Sequence, residues 1–194
     1  MLKKGTILII FALMAAMVNC GDDESSLNTG DCGAPTVDGT AQELDAGCRV
    51  ADEEENVTIE GLTLGTGDSL VVAMFAGSIA GDNGFLLTVT GAGAITLAQG
   101  STNLFTDTGI DVTDQTICVD VHGEEDPDHI LIWLGDDCSG EADEEAAIFN
   151  TEDETGLSYT DATGSGFYYL VTDASGSAAV SSITTEEPFF EEAE

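Results

Sequence analysis

Ser69, Asp126 and His129 are the residue types of a nucleophilic set. In such a set an imidazole takes the proton of the serine hydroxyl while a carboxylate orients the imidazole, which is the chemistry of acyl transfer. A second chemistry would use carboxylates. Glu124, Glu125, Asp126 and Asp128 crowd one turn, and Asp136 and Asp137 follow beyond the next apolar run. Hard cations take about six to eight oxygen ligands, so calcium is the ion such turns would hold. No EF-hand spacing or glycine-rich nonapeptide repeat accompanies them, and a solvated acidic turn is the plainer reading. Zinc lacks a ligand pattern: no C-x-x-C spacing is present, and His122 and His129 are the only histidines. Glycoside hydrolysis needs two carboxylates at a defined separation in a cleft, and no pair stands out among 38 acidic residues.

The elements around Ser69 argue against acyl transfer. Gly67-Asp68-Ser69-Leu70 is similar to the nucleophile block of the GDSL esterases, and Asp126-Pro127-Asp128-His129 repeats their D-x-x-H spacing. That resemblance implies a serine on a strand-to-helix turn of a parallel α/β sheet. Here Ser69 opens the run Leu70-Val71-Val72-Ala73-Met74-Phe75, a strand by its β-branched and apolar content, and no helical periodicity follows. The G-x-N-D block of that family is also missing, since Gly81-Asp82-Asn83-Gly84 has another order. The expectation is a protein that is not an enzyme.

The rest of the chain reads as strands. Val57-Thr58-Ile59 is short and β-branched. Phe85–Thr90 and Ala94–Leu97 flank Gly91-Ala92-Gly93, the pattern of a tight hairpin in which glycine supplies left-handed turn angles. Thr116–His122 alternates, with Ile117, Val119 and Val121 on one face and Cys118, Asp120 and His122 on the other. His129–Leu134 is apolar on both faces, as in a central strand. Ala146–Phe149 and Leu157–Tyr159 are weaker candidates, a helical turn is expected at Glu141–Ala147, and Gly166–Thr172 and Ala178–Ile183 complete the series. Turn residues separate these runs, so the expected fold class is all-β: an antiparallel β-sandwich or jelly roll over 56–184. Tyr159, Tyr168 and Trp133 are the aromatics that could meet a sugar, with core packing as their plainer fate.

Three pieces also resemble the bacterial pre-peptidase C-terminal domain, a small jelly-roll module of secreted proteins. They are Thr66–Val72, Asp126–Leu134 and Ala162–Val171, similar to its opening, central and closing strands. Gly81 to Asp120 lie between the first two as an insertion. The resemblance implies a non-catalytic accessory or binding domain, with metal bound in some related modules.

The N-terminus carries a different signal. Lys3 and Lys4 precede twelve uncharged apolar residues, Ile7 to Val18. A membrane-spanning helix needs about 20, so the run reads as a signal-peptide core. Met17-Val18-Asn19-Cys20 resembles the lipobox of bacterial lipoproteins, although Met17 replaces the usual leucine and Asn19 the usual small residue. The resemblance implies a signal peptide over 1–19, removed to leave a lipid on Cys20. Residues 20–55, dominated by acidic and small polar side chains, read as a flexible, disordered tether, and 185–194 as an acidic tail. The compartment expected is the bacterial envelope, with Gly21 rather than aspartate after the cysteine pointing to the outer membrane.

Loss of 1–19 would remove both lysines and leave Arg49 alone against 38 carboxylates. Phosphate backbones are bound by lysine and arginine, so nucleic acid is excluded as a partner. Anionic headgroups would repel the chain, so membrane affinity must come from the lipid. A protein or glycan partner stays open. Three readings of the acidity stand side by side: adaptation to high salt, calcium binding, and a solubilising surface. Salt adaptation is favoured because lysine is absent throughout the mature part. With Cys20 lipidated, Cys32, Cys48, Cys118 and Cys138 form an even set, as expected of two disulfides in an oxidising compartment. Of three pairings, the local one, Cys32–Cys48 with Cys118–Cys138, closes two loops of about 20 residues, worth about 3 kcal/mol each.

Overall fold

The computed structural model describes residues 33–44, 48, 57–81, 84–113, 115–122, 129–135, 147–150 and 166–185. Eleven strands appear among them: β1 (Gln42–Glu43), β2 (Val57–Glu60), β3 (Ser69–Ala76), β4 (Phe85–Thr90), β5 (Ala94–Gln99), β6 (Thr102–Thr108), β7 (Thr116–His122), β8 (His129–Gly135), β9 (Phe149–Asn150), β10 (Gly166–Thr172) and β11 (Ser182–Thr185). They form two sheets, β1-β10-β3-β4-β5-β6 and β11-β2-β7-β8-β9. Every pairing of strands is antiparallel. Strands β3 to β6 and β7 to β9 run as meanders, while β10 and β11 return to lie beside β3 and β2. The molecule is the expected all-β sandwich.

Alternation places the core. Phe85, Leu87 and Val89 of β4, Ile95 and Leu97 of β5, Ile117 and Val119 of β7, and Phe167, Tyr169 and Val171 of β10 all enter one apolar layer between the sheets. Strand β8, expected to be central, lies next to last in its sheet, beside the two-residue β9, and is covered on both faces. Ile130 and Ile132 join that layer, whereas Leu131 and Trp133 pack with Cys118 on the outer side of the second sheet. Between β4 and β5, Gly93 has φ 78° and its N–H bonds Thr90 O at 2.9 Å. This is the left-handed turn that the glycine spacing predicts.

The middle of β3 breaks the alternation. Ala73 pairs with Tyr168 and Ala76 with Gly166, so Met74 and Phe75 together face Phe167 alone. This is a β-bulge, and it turns both residues into the core, fully buried. Phe75 adopts φ 51°, the left-handed region that a bulky side chain rarely enters. Its ring meets Phe167 edge-on, with centroids 5.0 Å apart. Gly84 covers the bulge so closely that a Cβ there would lie 2.3 Å from Met74 O.

Several boundaries differ from those read in the sequence. The stretch expected as tether contributes to the sandwich: β1 adds an edge strand to β10, Gly39 N–H bonds Val171 O at 3.0 Å, and Leu44 N–H bonds Phe167 O at 2.8 Å. Thr36 N–H bonds the Tyr169 hydroxyl, and Leu44 and Cys48 are buried in the core. The open edge of β10 binds this segment, whatever its own weak pattern. The rest of 20–55 lies outside the described residues. Strand β6 was not evident from its polar sequence. The last strand is Ser182–Thr185 rather than Ala178–Ile183, with Ala179 bridging Thr63. Thr185, expected to begin the acidic tail, is buried as the last residue of β11. Leu157–Tyr159, 186–194 and most of Glu141–Ala147 lie outside the described residues.

Candidate functional site

The structure places two members of the nucleophilic set, Ser69 and His129, in different sheets. Ser69 starts β3 in one sheet and His129 starts β8 in the other. The Ser69 hydroxyl lies 2.9 Å from Thr172 Oγ1, which also accepts the Ser69 N–H at 2.9 Å. His129 is the Cα partner of His122 across β7 and β8. Asp126 lies outside the described residues, as do Glu124, Glu125, Asp128, Asp136 and Asp137. Among the described residues, no group of three His, Cys, Asp or Glu side chains is placed to hold a metal ion.

Asp68 of the Gly-Asp-Ser-Leu block has a structural task. The residue is 2% exposed. Oδ2 accepts the Gly65 N–H at 2.7 Å and the Ser175 hydroxyl, and Oδ1 accepts the Ser175 N–H at 2.8 Å. One side chain thereby ties the connection before β3 to the connection after β10. The Ser175 hydroxyl above all, then the backbone N–H groups of Ser175 and Gly65, hold its pKa below the ordinary aspartate value against the opposing effect of burial. A carboxylate depressed in the folded state stabilises it above the unfolded pKa, about 3.9, and this contribution is lost as pH falls through the folded value. Asp68→Asn is therefore expected to be less stable than the wild type at pH 7, and the gap should be smaller at about pH 2, well below the unfolded pKa. Urea titrations at the two pH values check this; a gap independent of pH would contradict it.

Cys48 and Cys118 are both disulfide-bonded. They sit in separate apolar clusters, Cys48 between the sheets and Cys118 on the outer face with Leu131 and Trp133. Cys20, Cys32 and Cys138 lie outside the described residues. Trp133 is buried in that outer cluster and Tyr168 is half-buried on the outside of β10; Tyr159 lies outside the described residues. An apolar dimple too shallow to hold a water molecule lies beside β1, lined by Leu44, Val57, Val72, Phe167 and Ile183 among others. Among the described residues, no carboxylate or imidazole belongs to its lining.

The acidic residues are unevenly placed. Of the 38, the described residues hold Asp38, Glu43, Glu60, Asp68, Asp107, Asp111, Asp120 and Asp173. Turns, strand edges and the second sheet take all eight. The outer face of the first sheet, from β10 to β6, takes none. Register shows this directly. Leu170, Val71, Thr88, Thr96 and Thr106 form a cross-strand row through five strands. Thr172, Ser69, Thr90, Ala94 and Thr108 form the row on one side. Tyr168, Ala73, Leu86, Ala98 and Asn103 form the row on the other. All fifteen side chains are uncharged, and Glu43 appears only beyond Tyr168, at the edge strand. The centre is open to solvent, since Val71, Leu86, Thr88, Thr96 and Leu170 are all half-buried. Their union into one neutral face depends on register, which the sequence does not display.

The chain matches no protein-family model, no curated protein and no solved structure.

Proposed function

We propose that this chain is a non-enzymatic lipoprotein of a bacterial envelope, anchored through a lipid on Cys20, whose β-sandwich serves an interaction role. One observation carries the reading: Lys3 and Lys4, the apolar run Ile7 to Val18 and Cys20 follow one another in the order of a lipoprotein signal. Beyond it Arg49 is the only lysine or arginine, so the protein surface offers anionic headgroups little attraction. Each buried methylene of an acyl chain contributes about 0.8 kcal/mol, and two or three chains give stable attachment. Pro35 is the first buried residue of the sandwich. The segment from Cys20 to Pro35 could hold the domain no farther than about 50 Å from the bilayer surface, at about 3.3–3.6 Å per residue. Gly21 after the cysteine favours the outer membrane.

The resemblance to the pre-peptidase C-terminal module supports a binding rather than a catalytic role. Two of its pieces fall on β3 and β10, neighbours in one sheet, and a third on β8. The acidic character belongs to the same reading: carboxylates concentrated in connections and ends repel one another, and high salt screens them. The two disulfides are assigned as Cys32–Cys48 and Cys118–Cys138, the local pairing suited to an oxidising compartment.

Fractionation tests the anchor. The wild-type chain, expressed in a bacterial host, is expected in the membrane fraction, resistant to molar salt and released by detergent. Cys20→Ala is expected in the soluble fraction. Its retention in the membrane would overturn the proposal.

A further inference from the structure

We propose that the uncharged outer face of the first sheet is a docking surface for an uncharged polysaccharide. The inference deepens the interaction role proposed above, and it stands whether or not Cys20 carries lipid.

Charge selects the class of partner. A cationic ligand is drawn to carboxylates, and no carboxylate of the described residues stands in these three rows. An anionic ligand is repelled by a chain with 38 acidic residues. An uncharged partner meets neither effect. With strands about 4.8 Å apart and alternate residues about 6.8 Å apart, five strands by three rows cover about 500 Å². The middle of that area lies about 10 Å or more from its rim, beyond the Debye length of about 8 Å at physiological ionic strength. At the centre the carboxylates of the described residues are screened.

Area and composition narrow the class further. A stable protein–protein interface buries about 800 Å² per partner, more than this face provides. Such interfaces also centre on tryptophan, tyrosine, arginine or methionine anchors, and Tyr168, at one margin, is the only such residue in the three rows. What the face offers is a mixture of hydroxyls and alkyl groups: six threonines, a serine and an asparagine interleaved with alanine, valine and leucine. A glycan presents the same mixture, hydroxyls around an apolar C–H face. Thr88 and Thr96, Cα partners at the centre, make no side-chain hydrogen bond among the described residues, so both hydroxyls are available to a ligand. The Ser69–Thr172 and Asn103–Thr106 bonds hold flanking side chains in place. Binding by one such face is weak, and an array of anchored copies would gain avidity on an extended polysaccharide.

The test is co-sedimentation of the detergent-solubilised full chain with microcrystalline cellulose and with chitin, in molar sodium chloride. The wild type is expected to pellet with at least one of them. Thr88→Asp/Thr96→Asp, which places two carboxylates at the centre, is expected to lower retention about tenfold or more, because each charge would lose its water against a neutral partner. Its circular dichroism should match the wild type. Should that variant misfold, Thr106→Asp at the exposed edge strand carries the test, with an expected loss of about threefold. No retention of the wild type on either polymer overturns the proposal, as does equal retention of a folded variant. A concentration-dependent dimer in sedimentation, abolished by Thr88→Asp/Thr96→Asp, would also overturn it and assign the face to a second copy of the chain.

Discussion

Phe75→Ala is expected to destabilise the sandwich by about 3–5 kcal/mol, the range for removing a fully buried aromatic side chain. The side chain is 0% exposed and packs edge-on against Phe167. It joins two strands that the chain brings together late, since β3 and β10 are separated by most of the domain. A loss of that size is a large share of the roughly 5–15 kcal/mol by which domains of this kind are stable. The backbone at Phe75 adds a second, separable expectation. At φ 51° a side chain costs about 1–2 kcal/mol that glycine does not incur. Glycine is ordinarily worse than alanine inside a strand by about 0.5–1 kcal/mol. Here the order should reverse, with Phe75→Gly no less stable than Phe75→Ala in urea titration. The ordinary order would mean that the bulge relaxes once the ring is gone, and that packing alone fixes it.

Cys118→Ala should cost about 2–5 kcal/mol, the usual penalty for removing a native disulfide from a small domain. Two features put it toward the upper part of that range. Cys118 is 0% exposed, and it is the cross-strand partner of Trp133 in the outer apolar cluster. Reduction of the wild type should lower the urea midpoint, and with the proposed pairing the variant should lose less on reduction, because only the Cys48 bond would remain to be broken. Trp133 is the only tryptophan, so its fluorescence reports on this disulfide alone. A neighbouring disulfide quenches indole emission; reduction should therefore raise emission in the wild type and leave it unchanged in Cys118→Ala. Equal responses in the two proteins would contradict this placement.

Strands with an unbroken period of two were legible in the sequence, and so were the two apolar faces of β8. What escaped were features that one segment does not specify by itself. The run Val71 to Phe75 is apolar throughout, so nothing in it announces that Met74 and Phe75 point the same way; the bulge arises from pairing with Phe167. Strand β6 hides for a related reason. Leu97 pairs with Phe105 but Ala98 with Asn103, so Leu104 is an extra residue that interrupts the alternation. Strand β1 has two residues, and the free edge of β10 selects it. The expectation of a tether there followed composition, and composition says nothing about an edge seeking a partner. The neutral face was not legible, because only the register makes neighbours of β10, β3, β4, β5 and β6.

Cys20 depends least on the sandwich and most on the first twenty residues, and it decides whether the domain belongs to a membrane. Metabolic labelling of the full chain in a bacterial host with an alkyne fatty acid tests it most directly. The account predicts label on the wild-type protein and none on Cys20→Ala. Label that persists on Cys20→Ala, or wild-type protein that takes up none, would contradict it.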